Sequence, residues 1–257
     1  MNGNQIQLIF HYYLLARNKE LGNLTGNEYI VKTIVTTDLI AKIAEKQNMK
    51  LYDCYTGFKW IATVMRENEG KARYLGGGEE SYGFLAEDFC RDKDSVSAIS
   101  LMAEIAAWAK EKGMTMNDML IDIYTTYGYS KERGISVVRT GKSGAEEIQA
   151  MMKNFRENPQ KEIAGSPVVK IRDYQLLQEK NVLTGEVSKL DMPCTSNVLQ
   201  YYTEDGTKVS IRPSGTEPKI KFYLEVHDTL ACAADYDTKN EWADAKLDTI
   251  CKALGIA

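Results

Sequence analysis

Residues 30–43 read IVKTIVTTDLIAKI, and the change of pattern within this stretch decides the fold class of the first half of the chain. Residues 30–37 are rich in β-branched side chains, which favour a strand. Leu39, Ile40 and Ile43 then follow at helical spacing. A strand that leads directly into a helix is the repeating unit of layered α/β proteins.

The flanking sequence continues this alternation on both sides. Upstream, apolar side chains recur at helical spacing at Ile6, Ile9, Phe10, Tyr13 and Leu14. Downstream, the pattern predicts a strand at residues 51–55, a helix around residues 60–65, a glycine-rich loop, and a long helix over residues 95–112. We therefore predict an α/β layered domain with parallel strands over residues 1–128.

The pattern changes after residue 128. Strands are predicted at residues 168–172, 198–203, 209–212 and 220–227. Asp205 and Gly206 predict a hairpin turn between the second and the third of these strands. Helices predicted near residues 144–155 and 243–254 could cover one face of the sheet. We predict an α+β domain over residues 129–257, with an antiparallel sheet backed by helices.

Composition excludes several classes of partner. A net charge of -4 gives no general electrostatic surface for nucleic acid or for an anionic membrane. No apolar run reaches the roughly 18 to 20 residues that span a bilayer, and no basic segment leads into an apolar one at the amino terminus. The five cysteines are widely spread and include no CxxC pair. We expect a cytoplasmic protein that binds neither nucleic acid nor membrane.

Residues 76–83 read GGGEESYG and place two carboxylates and a hydroxyl beside glycines. Carboxylates accept hydrogen bonds from sugar hydroxyls, and a serine both donates and accepts them. Glycines let the backbone approach a ligand closely. The composition suits a site for a polyol, although taken alone it is more typical of a solvated turn.

Residues 212–219 read RPSGTEPK and lie between two predicted strands. An arginine offers a planar fork for phosphate oxygens, hydroxyl side chains add donors, and a glycine exposes backbone N–H groups. This donor set suits an anion. The alternative is an ordinary turn stiffened by two prolines.

The two segments together resemble the phosphohexomutase family, which includes phosphoglucomutases and phosphomannomutases. Residues 78–83 resemble the sugar-binding loop of that family, and residues 212–218 resemble its carboxy-terminal phosphate-binding loop. Residues 56–60 (TGFKW) and 91–94 (RDKD) resemble intervening segments of the family. Family members have four domains, and the resemblance covers essentially the whole chain as domains three and four.

The resemblance implies a role for each matching residue. Glu79 and Ser81 would hold hydroxyls of a hexose ring. The phosphate that does not react would be gripped by four residues, namely Arg212, Ser214, Gly215 and Thr216. The implied reaction interconverts hexose 1-phosphate and hexose 6-phosphate through a bisphosphorylated intermediate of the glucose 1,6-bisphosphate type.

The residue after Ser81 bears on the sugar. In the phosphomannomutase branch the loop continues into glycine and histidine, whereas Tyr82 follows here. We therefore favour glucose. The alternatives are a phosphomannomutase, a phosphopentomutase, or a sugar-phosphate binding module without catalytic activity.

Some parts of the family pattern are not found in this sequence. We find no serine in the family's catalytic setting and no aspartate run with the spacing of its magnesium loop. We expect no metal site in this chain, and expect the phosphoserine and magnesium to belong to amino-terminal domains of the same protein, so that this chain alone would be inactive. Lys59 resembles a lysine near the reacting hydroxyl, and partial desolvation would suit it for proton exchange. A phosphate contact or a surface charge is the alternative for Lys59.

Overall fold

The computed structural model describes residues 1–215 and 217–256, apart from the side chain of Lys142. They form two compact units. The first contains Met1–Tyr129 and the short segment Thr229–Ala234. The second contains Ser130–Asp228 and the described chain from Asp235 onward. The return of Thr229–Ala234 to the first unit was not part of the predicted division between residues 128 and 129.

The first unit is a sheet with helices. Its elements are α1 (Gly3–Glu20), β1 (Glu28–Thr33), α2 (Leu39–Lys46), β2 (Lys50–Cys54), α3 (Phe58–Asn68), β3 (Arg73–Gly78), β4 (Phe84–Ala86), α4 (Ser95–Glu111) and α5 (Met116–Tyr127). The strand order is β2-β1-β3-β4. Strand β1 pairs in parallel with both β2 and β3, and β4 is antiparallel to β3. The sheet is therefore mixed, with the three parallel strands β2, β1 and β3 followed by the antiparallel edge strand β4.

Strand β1 is shorter at its carboxyl end than its composition suggests. We predicted a strand over residues 30–37, but β1 ends at Thr33. The backbone turns there because the N–H of Thr36 donates to the carbonyl of Thr33 at 3.0 Å, and the two hydroxyls lie 2.9 Å apart. The side chains of these threonines stabilise a turn in place of further strand pairing.

Three glycines that we predicted to lie in a loop belong to strand β3. Gly76, Gly77 and Gly78 are buried and pair with β1 and β4. A Cβ atom on Gly76 would lie 2.7 Å from Cδ1 of Leu14, and one on Gly77 would lie 2.6 Å from the carbonyl oxygen of Val31. These glycines allow close packing of β3 against its neighbours, and the loop itself is residues 79–83.

The second unit is a larger sheet with two helices. Its elements are β5 (Tyr129–Val138), α6 (Gly141–Glu157), β6 (Glu162–Ile163), β7 (Ser166–Asp173), β8 (Gln178–Asn181), β9 (Val187–Lys189), β10 (Leu199–Thr203), β11 (Lys208–Pro213), β12 (Lys219–Asp228), a 3-10 turn (Ala233–Asp235) that begins in the first unit, and α7 (Tyr236–Ala253). The strand order is β5-β12-β11-β10-β7-β8-β9, and β6 pairs with β7. The pairs from β7 to β12 are antiparallel.

The core of this unit follows the alternation read from the sequence. In β12 the side chains of Ile220, Phe222, Leu224 and Val226 are buried. Helix α6 and helix α7 contribute further buried side chains, namely Ile148, Met152, Phe155, Ala243, Leu247, Ile250 and Cys251. The hairpin predicted at Asp205 and Gly206 connects β10 to β11. The predicted fold class, an α/β domain followed by an α+β domain, is confirmed.

A helix that crosses a bilayer needs about 20 consecutive, mostly apolar residues. None of the helices in the part of the chain that the structure describes contains a stretch long and apolar enough to cross a membrane.

Candidate functional site

The segment that resembles the sugar-binding loop is a tight connection between β3 and β4. It spans residues 79–83, and its ends are joined because the N–H of Glu79 donates to the carbonyl of Gly83 at 2.8 Å. Tyr82 has a positive φ of 74°, and 62% of its surface is exposed. Ser81 is exposed beside it. The loop therefore presents Ser81 and Tyr82 to solvent from a closed base.

Glu79 is anchored by the start of helix α3. The N–H of Gly57, the residue before that helix, donates to Oε1 of Glu79 at 2.8 Å. Gly57 has a φ of 110°, a left-handed value that a glycine adopts without strain. A helix amino terminus stabilises a carboxylate through its free N–H groups and its dipole. The Glu79 carboxylate is therefore fixed in direction while its residue remains half-buried.

Lys93 lies beside this loop, and we did not assign it a role from the sequence. A Cβ on Gly83 would lie 2.7 Å from Cδ of Lys93 and 3.5 Å from Oε2 of Glu79. The Lys93 ammonium lies 5.7 Å from the centre of the Phe58 ring and 3.2 Å from Oδ1 of Asp92. Residues 91–94, which include Lys93, resemble a segment of the family, but the resemblance gave no role to Lys93 itself.

Lys59 is an exposed residue in the first turn of α3. Its ammonium lies 5.2 Å from the centre of the Trp60 ring. The partial desolvation that proton exchange would require is not provided within the described part of this chain. A catalytic role for Lys59 stays a prediction.

The segment that resembles the phosphate-binding loop connects β11 to β12. The N–H of Ser214 donates to the carbonyl of Lys219 at 2.8 Å, and the Ser214 hydroxyl accepts a 3.3 Å hydrogen bond from the N–H of Glu217. Gly215 is exposed at the tip. Thr216, the fourth predicted phosphate contact, lies outside the described residues. The loop is a closed hairpin with Arg212 half-buried in the strand that leads into it.

Two cationic residues lie side by side where this hairpin begins. Arg212 and Lys221 are directly opposite each other on β11 and β12. Opposite residues of an antiparallel pair point to the same face of the sheet, and like charges in that position destabilise it. Neither residue forms an ion pair within the part of the chain that the structure describes. An anion between them would remove the repulsion, and only Arg212 was identified from the sequence.

The acidic residue of the loop has its own partner. The carboxylate of Glu217 pairs with the Lys219 ammonium, and this hydrogen bond lowers the pKa of Glu217. Glu217 is therefore ionised and paired with Lys219, and the charge of Lys221 lowers its pKa to a smaller extent. It does not neutralise Arg212 directly.

Within residues 1–215 and 217–256, no three His, Cys, Asp or Glu side chains come together in a group that could hold a metal ion. The prediction that magnesium binds to domains outside this sequence stays a prediction.

Comparison with known proteins follows the same division into two units. Residues 2–127 match the family model for the α/β/α domain III of phosphoglucomutase/phosphomannomutase, and residues 135–239 match the model for its C-terminal domain. A phosphoglucomutase of Staphylococcus saprophyticus is 34% identical over 227 residues, which are 88% of this chain and 40% of the relative. A phosphoglucomutase of Staphylococcus aureus strain N315 is 36% identical over 232 residues, with the same coverage of 88% and 40%. The chain thus spans about 40% of the length of these relatives.

Solved structures share the fold at lower identity. Parafusin from Paramecium, a phosphoglucomutase in its open form, has a TM-score of 0.61 at 19% identity and covers 100% of this chain and 42% of its own. A phosphoglucomutase/phosphomannomutase family protein from Burkholderia thailandensis has a TM-score of 0.55 at 15% identity, covering 99% of this chain and 42% of its own. The matched domains account for most of the sequence, and the chain therefore belongs to the phosphoglucomutase/phosphomannomutase family, of which it represents domain III and the C-terminal domain.

Proposed function

We propose that this chain is the substrate-binding half of a phosphohexomutase that interconverts hexose 1-phosphate and hexose 6-phosphate, with glucose as the favoured sugar. The observation that carries the proposal is the pair of opposed cations, Arg212 and Lys221, at the start of an exposed hairpin loop. A phosphate group would add negative charge between these two cations.

The phosphate contacts have distinct roles in this proposal. The planar guanidinium of Arg212 takes two phosphate oxygens, and Lys221 adds a second positive charge. Ser214, Gly215 and Thr216 supply hydroxyl or backbone donors. The gripped phosphate does not react, so these groups hold the substrate while its other end is exchanged.

The sugar contacts in this proposal are Glu79 and Ser81. Glu79 accepts hydrogen bonds from ring hydroxyls with a carboxylate whose direction is set by the N–H of Gly57. Ser81 adds a hydroxyl at the exposed tip of the loop. Glucose is favoured because Tyr82 follows Ser81, and the Staphylococcus relatives are phosphoglucomutases.

Phosphate transfer requires groups that we assign to amino-terminal domains of the same protein. These would provide the phosphoserine and the magnesium ion, and the intermediate would be a bisphosphate of the glucose 1,6-bisphosphate type. The described residues offer no cluster that would hold the metal. We expect the complete protein to be cytoplasmic, and expect this chain alone to bind substrate without converting it.

Proton exchange at the reacting hydroxyl could involve either of two lysines. Lys59 is the candidate from the sequence. Lys93 is a second candidate because its side chain and the Glu79 carboxylate both lie near Gly83. Lys59→Met and Lys93→Met, compared in the complete protein, would separate them by their effect on kcat.

The experiment that tests the proposal is a titration of this chain with glucose 6-phosphate, inorganic phosphate and glucose. We expect glucose 6-phosphate to bind most tightly, and expect no conversion of glucose 1-phosphate with magnesium present. If neither glucose 6-phosphate nor inorganic phosphate binds, the proposal is contradicted. Turnover by this chain alone would contradict the assignment of phosphate transfer to other domains. Mannose and ribose phosphates in the same series test the rival substrates, and an inactive complete protein would favour a binding module.

A further inference from the structure

One face of helix α1 packs against β3, the loop at residues 79–83 and β4, the segment that carries the proposed sugar contacts. Gly3, Gln7, His11 and Leu14 lie on this face at a spacing of one helical turn. Gly3 packs so closely on the loop that a Cβ there would lie 1.7 Å from the carbonyl oxygen of Glu80. The His11 ring packs edge-on against Phe84 of β4 at 5.4 Å between ring centres. The loop at residues 79–83 therefore packs directly on helix α1.

Gln7 makes the polar contact within this face. Its side chain is fully buried at 0% exposure. Its Nε2 donates to the carbonyl of Glu79 at 3.0 Å and to the carbonyl of Gly83 at 3.1 Å. These are the first and last residues of the loop. A single amide group therefore bridges the two ends of the segment that presents Ser81 and Tyr82.

The strand next to the loop leaves room for this amide. A Cβ on Gly78 would lie 2.5 Å from Nε2 and 2.5 Å from Oε1 of Gln7. Any side chain at position 78 would displace the amide or the loop. The glycine directly before Glu79 is thus required by the contact with Gln7.

The orientation of the amide is set by its surroundings. With Oε1 and Nε2 exchanged, a carbonyl oxygen would face the carbonyl oxygens of Glu79 and Gly83, and both hydrogen bonds would be lost. In the present orientation Oε1 is buried and has no hydrogen-bond partner among the described residues. An unpaired buried carbonyl is costly. The fold keeps the Gln7 amide although only its N–H groups have partners. This indicates that the two hydrogen bonds to the loop are needed.

We propose that Gln7 is a positioning residue for sugar recognition. By holding the carbonyls of Glu79 and Gly83 at a fixed separation, it sets the direction in which the Glu79 carboxylate and the Ser81 hydroxyl meet the ring. It does not touch the ligand itself. This inference rests on the proposed function for its ligand, while its structural part concerns the loop alone.

The test compares three variants of this chain. Gln7→Met keeps the length of the side chain and removes both donors, and Gln7→Asn keeps the amide but shortens its reach by one methylene. Asn18→Leu is the matched control, because Asn18 is a buried amide of the same helix that donates to the carbonyl of Leu14, at 2.8 Å. It lies about 16 Å further along α1.

Two measurements are made on each variant. Hydrogen exchange of the Glu79 amide reports the loop directly, and we expect it to quicken by at least about fivefold in both Gln7 variants. Titration with glucose 6-phosphate and inorganic phosphate reports recognition. We expect the affinity for glucose 6-phosphate to fall by at least about fivefold, with inorganic phosphate within about twofold of wild type. The Asn18→Leu control should match wild type in both.

The outcomes separate the inference from the proposed function. Unchanged exchange and unchanged affinity in both Gln7 variants would overturn the inference. An equal loss for both ligands would show a general structural role and would also overturn it. If wild type binds glucose 6-phosphate no better than inorganic phosphate, the proposed sugar contacts are wrong, and the exchange measurement still decides whether Gln7 holds the loop.

Discussion

Arg212 and Lys221 lie directly opposite each other on two antiparallel strands and point to the same face of the sheet. Such a pair of like charges destabilises a sheet unless an anion is bound between them. Neither forms an ion pair within the described part of the chain; the nearby Glu217 is paired with Lys219, and the charge of Lys221 contributes less to its lowered pKa. An anion bound between the two side chains would balance this charge.

The first prediction concerns these two cations. Arg212→Ala should weaken glucose 6-phosphate binding by roughly tenfold to a hundredfold, the effect of about 1.5 to 3 kcal/mol for a charged hydrogen bond. Arg212→Lys should fall between wild type and Arg212→Ala, because it keeps the charge and loses the planar fork. Lys221→Met should weaken binding less than Arg212→Ala. Titration calorimetry measures all three.

A matched control for net charge is Lys189→Met, an exposed lysine on β9 of the same unit. It should leave affinity within about twofold of wild type, a change of about 0.4 kcal/mol. If Arg212→Ala is equally mild, then Arg212 does not bind phosphate. Affinity for unphosphorylated glucose should not change in any of these variants.

The second prediction concerns Glu79. Glu79→Gln retains an oxygen for the N–H of Gly57 and removes the charge, so the loop should keep its shape. In the complete protein we expect the specificity constant to fall by about tenfold to a hundredfold, from a loss of roughly 1.5 to 3 kcal/mol. Glu67→Gln, at an exposed position of α3, is the control. If the specificity constant of Glu79→Gln equals that of wild type, this segment is an ordinary turn and does not bind the sugar.

Much of the fold could be predicted from local patterns. The alternation in β12 is clear because one face of the strand is buried. Strands β8 and β9 were missed because their residues are mostly polar and exposed, which leaves no periodicity to detect. The end of β1 at Thr33 was also missed, since the threonines that favour a strand form a turn through their own hydroxyls.

Candidate site residues could be named from the sequence only where they are adjacent to one another, and their roles stay predictions. Residues 79–82 and 212–216 are short segments with recognisable composition. Lys93, Lys221 and Gln7 were missed because their relation to the loops depends on packing and strand register. Gln7 and Glu79 are 72 residues apart. A single sequence contains no local signal for such a contact.

The third prediction tests the close packing of β3. Gly77→Ala would place a Cβ 2.6 Å from the carbonyl oxygen of Val31, which is backbone and cannot rotate away. We expect a loss of about 1 to 3 kcal/mol in the free energy of unfolding of the first unit. Gly134→Ala is the control, because a Cβ there meets no atom within 4 Å and the position lies in a strand. Urea denaturation should show no loss for Gly134→Ala, and equal effects of the two changes would contradict the packing argument.

The fourth prediction concerns pH and His11. Burial of this side chain lowers its pKa from 6.5 to about 4, and its Nδ1–H donates to the carbonyl of Gln7 at 2.7 Å. Between about pH 4 and pH 6.5 the ring is therefore neutral in the folded state, whereas the unfolded chain would bind a proton. Stability contributed by His11 is complete above about pH 6.5 and is lost as pH falls toward 4. Between pH 7.5 and pH 5 this corresponds to about 2 kcal/mol.

The measurement compares urea denaturation of wild type, His11→Gln and His227→Gln at pH 7.5 and pH 5. His11→Gln should lower stability at pH 7.5 because the ring packing against Phe84 is lost. Between pH 7.5 and pH 5, the free energy of unfolding of His11→Gln should fall by about 2 kcal/mol less than that of wild type. The reason is that no imidazole remains to take up a proton. His227→Gln removes the other histidine of the sequence and should keep the pH dependence of the first unit. If His11→Gln loses as much stability as wild type between the two pH values, His11 is not the group that titrates, and the acid sensitivity of this unit must come from its carboxylates.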